Sequence, residues 1–137
     1  MTQHVSALLV YDESPLLDRL KCALNDRSLS AGRARTCQEA QHLIKATEPH
    51  LIFTDTQLPD GTWADVVRCG EKAEVATNVI VVSDSVDMGL YIKVMEAGAF
   101  DFILAPFEAR GLNHVVRCAL TDALSRRSDQ VPACATS

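Results

Sequence analysis

The sequence predicts an α/β protein: a doubly wound, five-stranded parallel sheet with helices on both faces. Three observations predict it. Five short apolar runs alternate with stretches of helical periodicity, the pattern of a parallel sheet. Each run is brief and continuous, as a buried strand is. The chain has 137 residues, 47% apolar and 23% charged, an ordinary soluble composition with enough length for one self-sufficient core.

Residues 5–11 (VSALLVY) are the first run, ended by Asp12, Glu13, Ser14 and Pro15. Ser14 is a natural N-cap and Pro15 suits a first helical turn, so a helix opens there. Leu16, Leu20, Ala23 and Leu24 give it one apolar face. Residues 25–32 (NDRSLSAG) read as loop and 33–36 as a weak second strand. A second helix covers 37–47, with Ala40, Leu43 and Ile44 on one side, and Pro49 ends it. Residues 51–54 (LIFT) are the third strand, stopping at Asp55. Leu58-Pro59-Asp60-Gly61 is a turn by composition, and 62–69 is a short helix carrying Val66 and Val67. After a polar loop, Val79-Ile80-Val81-Val82 is the clearest buried strand. Residues 84–97 are the fourth helix, closed by Gly98 in the position where glycine is favoured past a helix end. Residues 100–104 are the last strand. Residues 108–126 are a long helix with Leu112, Val115, Val116, Ala119 and Leu120 inward. A domain over 1–126 and a disordered tail over 127–137 are therefore expected.

Thirteen basic and 18 acidic residues leave a net charge of −5. Direct nucleic-acid binding needs a basic patch or stripe, and only Arg126-Arg127 stand together, so none is expected. No apolar run approaches the roughly 18 residues of a membrane span. The N-terminal stretch lacks the basic segment of a signal peptide, so a cytoplasmic location away from membranes is expected. Cys22, Cys37, Cys69, Cys118 and Cys134 form no C-x-x-C and read as reduced core residues. His4, His42, His50 and His114 lack metal-ligand spacing and read as surface residues.

In open parallel sheets, ligands bind at the carboxyl ends of the strands. The informative residues are therefore Asp12 and Glu13 after the first run, Asp55 after the third, Ser83 after the fourth, and Ala105-Pro106 after the fifth. Three carboxylates on one crevice repel and need a cation. Oxygen ligands of this kind suit a hard divalent ion such as Mg²⁺, commonly held by a few carboxylates with water and phosphate. A carboxylate beside Mg²⁺ can attack a phosphoryl group, and Ser83 can donate a hydrogen bond to a phosphoryl oxygen.

At these residues the sequence resembles the receiver domains of two-component response regulators, over residues 5–126. VYDESPLL is similar to the family's strand-end acidic pair. PHLIFTDTQLPDG is similar to its phosphoacceptor strand and Pro-Asp-Gly turn. VIVVSDS and MEAGAFDFILAPF match its fourth strand, the following helix end and its fifth strand. The resemblance implies the flavodoxin-like strand order 2-1-3-4-5. It also implies Mg²⁺ held by Asp12, Glu13, Asp55 and the backbone carbonyl of Gln57. Asp55 would be the phosphoacceptor, Ser83 the phosphoryl contact and switch residue, Phe102 the switch aromatic, and Ala105-Pro106 the site of a cis peptide bond.

Three positions depart from that pattern. Ala105 replaces the lysine that contacts the phosphoryl group. Without it, Asp12, Glu13 and Asp55 set three negative charges against the two positive charges of Mg²⁺. A unit charge at about 4 Å is worth roughly 4 kcal/mol at an effective dielectric near 20, less in an open crevice. Lys21, Lys45, Lys72 and Lys93 fall on helices or a loop and do not substitute. Asp84 replaces a small residue and adds negative charge at the crevice mouth. Trp63 replaces a common glycine and reads either as a helix-start residue covering apolar surface or as the mark of a reshaped loop. Tyr11, beside the acidic pair, reads as core. In the fourth helix Val86, Met88, Leu90 and Tyr91 cannot all face inward, so an interface with a partner is expected on that side.

The leading expectation is a signalling module that accepts a phosphoryl group on Asp55 from a sensor histidine kinase or phosphotransfer protein. It then engages a downstream protein partner, and a homodimer is compatible with this. The alternative is a degenerate receiver that binds its partner without phosphorylation. An enzyme is not expected: aspartate-nucleophile phosphatases carry a second acid two residues after the nucleophile, and Asp55-Thr56-Gln57 lacks it. With only a short stretch after the last helix, the chain reads as a stand-alone receiver or part of a longer protein.

Overall fold

Side chains alternate across a strand, so a strand covered on both faces has to be apolar at every position. The central strands of this chain meet that condition except at their end residues. In the computed structural model, which describes residues 5–26, 29–85, 87–105 and 108–130, five strands pair in parallel. They are β1 (Ser6–Val10), β2 (Ser30–Ala34), β3 (Leu51–Thr54), β4 (Asn78–Ser83) and β5 (Asp101–Leu104). Their order is β2-β1-β3-β4-β5, the expected one. The helices are α1 (Pro15–Asp26), α2 (Cys37–Thr47), α3 (Trp63–Glu71), α4 (Met88–Glu96) and α5 (Ala109–Gln130).

Leu9, Tyr11, Phe53, Ile80 and Val82 pack on one face of the sheet with Leu17, Leu20 and Leu24 of α1 and Leu112, Val116 and Ala119 of α5. Leu8, Val10, Ile52, Val79 and Val81 pack on the other with Ala40, Ile44, Val66, Val67 and Val94 of α2, α3 and α4. The polar cap foreseen at Ser14 is present, and the next two helices carry caps that the sequence reading did not name. Ser14 Oγ accepts from the Leu17 N–H at 3.2 Å, Thr36 caps α2, and Thr62 and Asp65 form a capping box on α3. Gly98 has φ +102°, as the position past α4 requires.

Several boundaries differ from the sequence reading. β2 begins at Ser30, not at 33, because an exposed edge strand carries little apolar signal; its ladder with β1, Ser6 opposite Ser30 through Val10 opposite Ala34, places it. α1 continues to Asp26. α4 begins at Met88, not at 84, because the Asp87 side chain caps it, accepting from the Leu90 N–H at 3.1 Å. α5 continues past 126 to Gln130. Arg127 holds its end down, donating to the carbonyls of Pro49 at 2.6 Å, Ala76 at 2.7 Å and Glu48 at 2.9 Å. The remainder of the expected tail, 131–137, lies outside the described residues.

His50 is a correction. It is buried rather than on the surface; its Nδ1 accepts from the Ser6 N–H at 3.3 Å and its Nε2 is 3.2 Å from Arg127. The turn at Pro59-Asp60 closes a two-residue antiparallel pairing, Gln57–Leu58 with Gly61–Thr62, which the sequence did not reveal. Asp60 then accepts from the Cys37 and Gln38 N–H groups at 2.7 and 3.1 Å, so the turn also caps α2. Among the described residues, no helix is long and apolar enough to cross a membrane.

Candidate functional site

The parallel register builds the site. Val10 lies opposite Thr54, and the Asp55 N–H extends that ladder to the Val10 carbonyl at 3.0 Å. Asp55 therefore sits at the end of the central strand, level with Tyr11, beside the strand end that Asp12 and Glu13 follow. Its Oδ1 accepts from the Thr56 N–H at 2.7 Å. Burial raises the proton affinity of this half-buried carboxylate, the Thr56 N–H opposes that, and the charge of Asp84 raises it further.

Ser83 ends β4 and is buried. Its Oγ donates to the Ser85 carbonyl at 3.3 Å and accepts from the Ser85 N–H at 3.2 Å, forming a local turn. The Ala105 N–H donates to the Ser83 carbonyl at 2.9 Å, which keeps the end of β5 beside β4. The Ala105–Pro106 bond lies outside the described residues. On α1, α2 and α4, Lys21, Lys45 and Lys93 are helical as expected, and Lys72 caps α3.

Two basic residues missed by the sequence reading stand on the other flank. Arg33 lies 4.2 Å over the Tyr11 ring and donates to the main-chain carbonyls of Tyr11 and Asp12. Arg35 Nε is 3.9 Å from Asp12 Oδ1. The signal was present as Arg-Ala-Arg at the end of a weak strand, where alternate residues share a side. Tyr11 is fully buried, as read, and its hydroxyl donates to Asp18 at 2.5 Å.

The donor set of Asp12, Glu13, Asp55 and the Gln57 carbonyl is all oxygen, the chemistry a hard divalent ion requires. The expected convergence of the three carboxylates is only partial. They come to adjacent strand ends, yet among the described residues no three His, Cys, Asp or Glu side chains are gathered as a metal-holding group. Asp12 and Glu13 are exposed, and Asp12 turns to Arg35.

Phe102 is half-buried on β5 and meets Tyr91 edge-on, ring centroids 5.8 Å apart. Trp63 opens α3, packs against the second core cluster and donates its main-chain N–H to the Thr56 carbonyl at 3.2 Å. Of the expected interface residues, Met88 and Tyr91 are exposed, Leu90 packs toward the core, and Val86 lies outside the described residues. Ile92 and Leu104 are exposed as well.

Residues 7–117 match the model of the response regulator receiver domain. The chain belongs to this family. It is similar to the response regulator protein PilR of Pseudomonas aeruginosa, 32% identical over 83% of this chain and 26% of PilR. The crystal structure of a response regulator receiver protein from Pseudomonas putida matches with a TM-score of 0.73 at 26% identity, covering 86% of this chain and 99% of that one. A CheY-like receiver domain protein from Methanospirillum hungatei JF-1 shares the fold, with a TM-score of 0.78 at 22% identity over 90% of this receiver and 98% of its own chain. The receiver is thus a module of two-component signal transduction, and it spans only part of the curated relatives it matches.

Proposed function

We propose that this receiver accepts a phosphoryl group on Asp55 from a sensor histidine kinase or phosphotransfer protein and that the change alters how its α4–β5 side meets a protein partner. The observation that carries the reading is the place of Asp55. It is a half-buried carboxylate at the end of the middle strand, between the acidic pair after β1 and Ser83 at the end of β4. Asp12, Glu13, Asp55 and the Gln57 carbonyl would hold Mg²⁺, whose charge would offset that of the phosphoryl oxygens. An Asp55 oxygen attacks phosphorus while the bond to the donor's leaving group breaks. The test is to incubate the protein with Mg²⁺ and a small acyl phosphate and weigh it intact. Gain of one phosphoryl group, lost in Asp55→Asn, supports the reading. No gain in the wild type, where Ala105→Lys does gain it, defeats it for the native chain.

A second reading is favoured by one flank of the same crevice. There Asp84 adds negative charge beside Asp55, and Ala105 brings none of the opposite sign. This is the degenerate receiver, binding its partner without phosphate. It requires Asp55→Asn to leave partner binding unchanged in a pull-down.

A further inference from the structure

We propose that Arg35 is a resident counter-ion for Asp12 that a divalent cation has to displace, so that this arginine sets how tightly the crevice holds metal. The inference rests on the reading of Asp12 as a metal-holding residue.

Arg33 within β2 and Arg35 just past it are held differently. Arg33 is fixed by the Tyr11 ring and by two main-chain carbonyls. Arg35 reaches Asp12 only at 3.9 Å, with the two side chains 62% and 51% exposed, so it can leave. Its main chain stays in place, because the Arg35 N–H donates to Glu39 Oε1 at 3.1 Å at the start of α2.

Sheet order decides which group Arg35 serves. Neighbouring strands lie about 4.8 Å apart. Arg35 follows β2, one strand from Asp12 and two from Asp55, while Ala105 follows β5 on the opposite side of Asp55. Arg35 therefore cannot stand in for a cation at position 105. It serves Asp12, and a guanidinium and a metal ion repel one another at a shared carboxylate.

The experiment is a Mg²⁺ titration of the full chain, Arg35→Gln and Asp12→Asn, read by Trp63 fluorescence and by calorimetry, with circular dichroism to verify folding. For a screened, exposed pair the expected result is binding roughly two- to fivefold tighter in Arg35→Gln. The difference should narrow as salt is raised, and Asp12→Asn should weaken binding. Unchanged or weaker binding in Arg35→Gln, with wild-type binding still lowered by Asp12→Asn, overturns the counter-ion role and leaves the metal reading standing. No binding by any chain, or binding indifferent to Asp12→Asn, overturns both.

Discussion

Asp84, one residue past β4, acts on Asp55, one residue past β3, as a like charge that raises its proton affinity. In this receiver the β4 and β5 flank of the crevice thus carries an acid and an alanine, while the basic side chains stand on the β2 flank.

Asp84→Ala removes the like charge and makes Asp55 a better acceptor. The initial rate of labelling by an acyl phosphate should rise roughly two- to fivefold, the range of a screened surface pair. Timed intact-mass measurements would show this, and a rate that falls would mean Asp84 assists instead.

Asp55→Asn should stabilise the fold at neutral pH. The folded-state pKa of Asp55 is raised, so the folded chain binds the proton more tightly than the unfolded one. The penalty is absent below the ordinary carboxylate range and present above the raised value. Thermal melts should show the variant higher by a few degrees at pH 7 and equal to wild type near pH 3.

Tyr11→Phe should cost about 1 kcal/mol by loss of the bond to Asp18. Burial and Asp18 push the Tyr11 hydroxyl up to about 12. A raised folded value gives stability that is complete below the unfolded pKa and lost as pH rises toward about 12. Alkaline melts should therefore show wild type and Tyr11→Phe converging above pH 10.

Asn78→Ala should be more costly. The buried Asn78 donates to the Ala119 carbonyl at 2.8 Å and to Asp122 at 3.0 Å, and accepts from Arg126. Truncation leaves the Ala119 carbonyl without this donor at roughly 1–3 kcal/mol. Urea denaturation would measure it, with the midpoint falling and the slope unchanged.

The strands legible in the sequence were those whose side chains are buried on both faces. Leu51 to Thr54 and Val79 to Val82 read as runs because both sheet faces are covered there. β2 did not, because Ser30, Gly32 and Arg33 gain their place from pairing with β1 rather than from burial. Asp12, Glu13, Asp55 and Ser83 could be placed at strand ends because those are visible wherever an apolar run stops. Arg33 and Arg35 were missed because their meaning depends on which strand lies beside β1. His50 was misread because its surroundings, Ser6 and Arg127, are far from it in the chain.

By itself the sequence determined the alternation of strands and helices, the acids at the strand ends and the absence of lysine at 105, since each is local. Tertiary structure decided that Asp12 turns to Arg35 while Asp55 meets Asp84, and that Arg127 closes the far end of the sheet. Those pairings join residues remote along the chain, and only strand order and register bring the charges within a few ångströms, where they act.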